Sequence, residues 1–368
     1  MHLAEGLATD WWSIFGGRDR EHAIRKYRTG FALPDVTLGF DGSTFEIRGE
    51  QFASTNPDVR FWQVGREDLA RGAAESILAE FIEGVAARLA AAGLSDSEAA
   101  LRWSRLSRSL DNADERAFCE AAGALGIDPY GVSDADAAFI ERAAELFSGE
   151  SLLEFLAGVG GTAREDLLNW VRDVETRPRE HASLRELNDI ADRIIAGTRR
   201  RPGERAWATG YRAARAFRDV LDIPPGKGLT SPGDIARRLG SHTFVCTSGV
   251  AGVSALVSRG DGDVRIHVRE RGAWDWARHA ENFAFARAIG DAVCYRDTQR
   301  SVVNNLRQAE RQAVGRAFAA EFLAPVKRVL YMTGSGCDVD EIAGSLDVSP
   351  QVIDWQLENQ DRIRQACA

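Results

Sequence analysis

Apolar positions recur at three- and four-residue spacing over most of this chain, which predicts a helix-rich fold. The longest such run is 66–93, REDLARGAAESILAEFIEGVAARLAAAG, with Leu69, Ala73, Ile77, Phe81, Val85 and Leu89 four apart and Gly93 as a stop. Ser95 and Glu98 form a capping-box pair ahead of the next helical stretch. ADERAFCEAAGALGIDPYG follows, stopped by Gly126 and Asp128-Pro129, and ADAAFIERAAELF and SLLEFLAGVGG continue the series. The segments share no fixed period, so a solenoid is not expected. Two regions break the helical pattern. In VTLGFDGSTFEIRG, Val36, Leu38 and Phe40 alternate against Phe45 and Ile47 about Asp41-Gly42, a hairpin signal, and VRFWQV (59–64) offers a third strand. Past GTRRRPGER (197–205), read as a solvated hinge, the pattern runs helix (WATGYRAARAFRDVLDI), then strands (HTFVCTS, VSALVSR, DVRIHVRE). Two further helical stretches follow, NFAFARAIGDAV (282–293) and, after a polar connection, QAERQAVGRAFAAEFLAPVKRVL. The tail, DVDEIAGSLDVSPQVIDWQLENQDRI, has helix-turn-helix spacing.

These patterns predict an α-rich α+β fold in four parts. They are a small mixed α/β module over 1–65, a helical region over 66–197, a core with a small sheet over 205–330, and a helix-turn-helix-like element over 331–368. A chain of 368 residues exceeds one compact core, in keeping with several domains.

Composition narrows the function classes. A net charge of −9 argues against a protein that coats nucleic acid, which needs a basic face. No run approaches the roughly eighteen apolar residues of a membrane span, and the N-terminus lacks a basic then apolar leader. Five scattered cysteines without a C-x-x-C pair point to reduced thiols and a cytoplasmic location.

The candidate chemistry sits in NFAFARAIGDAV. Arg287 and Asp291 stand four apart, sharing a helix face one turn apart. That is the spacing of the two histidines in the zinc motif H-E-x-x-H. A guanidinium is a permanent cation without an acceptor, so Arg287 repels a metal. Ala288 has no carboxylate with which to serve as general base for a zinc-bound water. As a pair, Arg287 and Asp291 are expected to meet across one turn.

With GRAFAAEFLAP (315–325) and LDVSPQVIDWQLEN (346–359), residues 207–359 resemble the ImmA/IrrE family of zincin-like metallopeptidases. The family's helix of the form F-x-x-A-H-E-x-G-H matches at Phe283, Ala286 and Gly290, and 315–325 is close throughout to its second helix, E-A-N-x-F-A-A-x-L-L-x-P. The resemblance implies a zincin-like core whose first histidine falls on Arg287, catalytic glutamate on Ala288, and second histidine on Asp291. The third ligand, a glutamate, falls on Val314, with Glu310 one turn away. A degenerate motif of this kind implies no catalytic residues and no cofactor. The resemblance further implies a regulatory role through a protein partner, in the setting of toxin–antitoxin pairs, phage-related regulation or stress response. The partner would be a toxin, a repressor or another regulator. It covers the last ~160 residues and implies nothing about the first ~200.

Two alternatives stay open. One is a metallo-endopeptidase with relocated zinc ligands drawn from Asp291, Glu310 and His279. The other is a DNA-binding regulator using a basic stripe at Arg199, Arg200 and Arg201. Against the latter, the tail's second helix carries Asp354, Glu358 and Asp361 where a recognition helix favours Arg, Lys, Asn or Gln. A partner-binding patch is expected near Trp274, Trp276, His279, Glu281 and Glu310, since Trp and Arg dominate binding hot spots.

Overall fold

The computed structural model describes residues 1–368 apart from 17–20, 31–32, 43, 51, 54–59, 62–64, 160–163, 177–181, 199–203, 225–231, 242–245, 248, 251, 261, 273–276, 306–308 and 367–368. The protein is helix-rich α+β with small sheets that are largely antiparallel. It divides into two compact units, the first comprising 1–145, 152–157 and 306–310, the second 146–151, 158–305 and 311–368. No helix among the described residues is long and apolar enough to cross a membrane.

In the first unit the expected hairpin forms from Asp35–Phe40 and Thr44–Glu50, with the Thr44 amide donating to Asp41 Oδ1 at the turn. Its third strand differs from the expectation. Gly65–Ala70 pairs with Thr44–Glu50, whereas among the described residues Arg60–Phe61 pairs with Phe52–Ala53, and the rest of 59–64 lies outside them. Gly65–Ala70 is an edge strand with mostly exposed side chains, held by backbone bonds and by Arg66 against Glu46 at 2.7 Å. An exposed edge needs no apolar alternation, so the sequence pattern is silent there.

The apolar stripe expected at 66–93 is also corrected. The helix is Arg71–Ala91, and it buries Ala74 and Ile82 while Ile77 and Phe81 are exposed. Leu69 lies in the strand before the helix, and a strict four-residue series rotates about 40° per step against a 3.6-residue turn, so Ala73 and Leu89 fall on different faces. Trp11, Trp12 and Phe15 of the opening helix His2–Gly16 share one core with Phe40, Phe45, Ile82 and Leu106. That core runs across residue 65, so the hairpin and the helices after it are one unit.

The second unit is built on a sheet in the order Arg300–Asn304, Val253–Gly260, Asp263–Arg269, Ala182–Ser183, with Cys246–Thr247 parallel to Asp263–Arg269. Alternation puts Ala255, Val257, Val264, Ile266 and Val268 on one face, in a core with Phe285, Ile289, Phe318 and Phe322. Those aromatics belong to the helices Ala277–Cys294 and Glu310–Leu323. The C-terminal pair, Val339–Leu346 and Pro350–Ala366, buries Ile342, Leu346, Val352 and Ile353 in the same core. An Asp338/Glu341 capping box starts the first of these helices, and Asp347 in the left-handed region ends it.

Two glycines let helices touch. A Cβ on Gly290 would lie 2.6 Å from Phe318 Cγ, and one on Gly210, in the helix Ala206–Val220, would lie 2.4 Å from the Val314 carbonyl oxygen. A ring can turn aside but a backbone carbonyl cannot. Gly210→Ala is therefore expected to lower the unfolding free energy by about 1–3 kcal/mol in urea melts. Gly344→Ala, in open helix with nothing within 4 Å, should instead raise it by about 0.5–1 kcal/mol. Equal effects would show that helix propensity rather than close approach governs both sites.

Candidate functional site

The helix Ala277–Cys294 is buried without interruption from Ala284 to Val293, so its polar residues lie inside the second unit rather than on a surface. Arg287 is 4% and Asp291 3% exposed. The expected pairing between them does not form, because each is bonded to a different element.

Arg287 reaches the strand Arg300–Asn304 and the helix Glu310–Leu323. Its Nη2 donates to the Asn304 carbonyl and, at 2.8 Å, to Gln312 Oε1, and its Nη1 lies 3.4 Å from Asn305 Oδ1. The Gln312 amide lies along the strand's outer edge. Its Nε2 donates to the Val302 carbonyl at 2.9 Å and its Oε1 accepts from the Asn304 amide at 3.2 Å. Residues 302 and 304 present their backbone groups to the same side, away from the pairing with Val253–Gly260. Gln312 thus copies the bonding of a further strand, and Arg287 covers the next carbonyl. An open edge is where an extended peptide adds to a sheet. Over 302–304, Gln312 and Arg287 already hold that edge.

Asp291 is bound to Arg311 through two parallel contacts, Nε to Oδ1 and Nη2 to Oδ2, the latter at 2.8 Å, and Ser301 donates its hydroxyl to Oδ2. Arg311 is 2% exposed; its Nη1 donates to Thr298 Oγ1 at 3.0 Å and its guanidinium lies 4.7 Å from the Tyr295 ring centroid. This is a buried, bidentate, fully bonded charge pair. Beside it, Arg259 donates to Asn188 Oδ1 at 2.8 Å and to the Ala292 carbonyl; burial holds its pKa below the ordinary arginine value.

The remaining expected positions scatter. Ala288 and Val314, the latter at the position where the resemblance places a third ligand, are wholly buried apolar residues. Glu310 begins its helix. His279 lies 3.1 Å from Asp347 Oδ1, where Arg278 also binds. Glu281 Oε1 accepts the Arg271 amide at 2.9 Å, and burial together with Glu281 pushes the Cys246 thiol up to about 12. Trp274, Trp276, Arg199, Arg200 and Arg201 lie outside the described residues. His279 and Asp291 are twelve residues apart on one helix, about 18 Å at 1.5 Å per residue, so they cannot share an ion. Among the described residues, no three His, Cys, Asp or Glu side chains converge as metal ligands.

Ser301, Asn304, Arg311 and Gln312 complete the constellation and were not singled out by sequence pattern. One signal was available: Arg311 and Gln312 lie in the turn just ahead of Val314, on the helix the family resemblance already marks. Compared with known protein families, with curated proteins and with solved structures, the chain matches none of them.

Proposed function

We propose that this chain is a catalytically silent ImmA/IrrE-like protein that works by binding another protein, as a regulator or antitoxin-like component. One observation carries this reading. The two polar side chains at the positions of the family's histidines are spent on internal bonds, Arg287 on a sheet edge and Asp291 on Arg311. To ligate zinc, Asp291 would have to give up a buried arginine. A general base is missing at Ala288, whose methyl group offers no proton acceptor.

The reading is tested by two measurements on the full chain. After dialysis against trace zinc, mass spectrometry is expected to find far less than one zinc per chain. Capture from the native cell is expected to return one protein at a stoichiometric level, bound with a salt dependence unlike that of DNA. One tightly held zinc per chain, released by Asp291→Ala, would replace this reading with the altered-ligand peptidase. Recovery of DNA alone from the chain's own locus would replace it with the DNA-binding regulator.

A further inference from the structure

We infer that the first unit carries a pocket for a small amphoteric molecule, whose anionic group is held by Arg105 and Arg108 and whose N–H group is held by Glu115. This open surface pocket has a volume of about 390 Å³ and is lined by Arg105, Arg108 and Glu115, all exposed, and by half-buried Tyr130. That volume lies in the range of small-molecule sites.

Arg105 and Arg108 stand three apart on the helix Glu98–Asp111 and so share a face. Among the described residues neither has a carboxylate within ion-pair distance, whereas Arg71, Arg102 and Arg116 of the same unit all do. Arg108 Nε spends itself on the Ser104 carbonyl at 3.1 Å, and Arg105 stacks 5.3 Å from the Tyr130 ring centroid. Two exposed guanidinium groups beside one open pocket, with no carboxylate partner of their own, match a carboxylate or phosphate.

Glu115 shares the cavity without neutralising them because another group directs it. Ser109, wholly buried, donates its hydroxyl to Glu115 Oε1 at 2.6 Å. With the Ser109 proton so placed, the Tyr130 hydroxyl at 3.1 Å donates to Ser109, and Trp12 Nε1 donates to Tyr130 at 3.2 Å. This chain of donors, running from buried Trp12 to Glu115, anchors one oxygen of the exposed Glu115 carboxylate before any ligand arrives, which lowers the ordering cost of binding. A simple anion would gain the arginines but face Glu115. A molecule with an anion at one end and an N–H donor at the other satisfies both. α-Amino acids and nucleoside monophosphates share that chemistry.

The test is calorimetric titration of the full chain with three probe sets: the α-amino acids, the four nucleoside monophosphates, and inorganic phosphate. A member of one of the first two sets is expected to bind with a Kd below about 1 mM, and which set answers identifies the source. Arg105→Gln and Arg108→Gln should each weaken that probe at least about tenfold, the scale of losing a charge-assisted contact. Arg102→Gln, which breaks only an exposed pair with Glu98, should leave it unchanged. Glu115→Gln should weaken the amphoteric probe while strengthening inorganic phosphate. The inference is overturned if no probe binds below that threshold. It is equally overturned if binding survives Arg105→Gln with Arg108→Gln in a chain whose melting temperature matches the parent, or if inorganic phosphate binds as well as the amphoteric probes.

Discussion

Asp291→Ala is expected to cost the second unit about 3–5 kcal/mol, the penalty for leaving one partner of a buried pair alone. Arg311 is 2% exposed, and the substitution removes the carboxylate that its Nε and Nη2 both bind. The surface estimate for a helix pair one turn apart, about 0.2–0.5 kcal/mol, does not apply, because the charges sit in the core and the partner is Arg311. Urea unfolding, with hydrogen exchange at the Ala277–Cys294 amides to assign the loss to this unit, would measure it. The companion variant, Asp291→Leu with Arg311→Met, is expected to recover most of the loss, since an apolar pair of similar volume leaves no charge stranded. A loss below about 1 kcal/mol for Asp291→Ala would mean the pair is solvated, contrary to its burial.

Arg287→Met is the second large effect. It keeps most of the side chain's apolar stem but leaves the Asn304 carbonyl and one lone pair of Gln312 Oε1 without their donor. At about 1–3 kcal/mol per buried unsatisfied acceptor, partly relieved because Gln312 retains the Asn304 amide, the expected loss is about 2–4 kcal/mol. The strand Arg300–Asn304 should show it first, as faster hydrogen exchange at its outward amides. A stronger version restores the motif outright with Arg287→His, Ala288→Glu and Asp291→His. That triple variant is expected to bind no stoichiometric zinc and to unfold more easily than the parent, because it places Arg311 beside the intended metal and supplies no ligand at Val314. Recovery of zinc-dependent peptidase activity in it would overturn the proposed reading, in which these positions serve as structure.

Regular periodicity made the helix-rich class legible in the sequence, along with the Asp41-Gly42 hairpin and the strands at Val253–Gly260 and Asp263–Arg269, because each of these buries an alternating or helical apolar face. Strands that lack such a face were not legible. Gly65–Ala70 lies exposed at an edge, and Arg300–Asn304 is hidden in a polar connection because its two apolar residues, Val302 and Val303, are adjacent and so fall on opposite faces, giving no alternation. The helix Ala277–Cys294 was placed correctly by its apolar spacing. Spacing alone put Arg287 and Asp291 on one face and made them look like partners.

By itself, then, the sequence determined which segments are helical and that one helix carries Arg287, Ala288 and Asp291 at the spacing of a zinc motif without its histidines or its glutamate. Only the tertiary structure decided what those residues do. Arg311, Ser301, Asn304 and Gln312 lie ten to twenty-five positions further along the chain, and a charged side chain in a core takes whichever partner the packing brings within hydrogen-bond distance, not the one nearest in sequence.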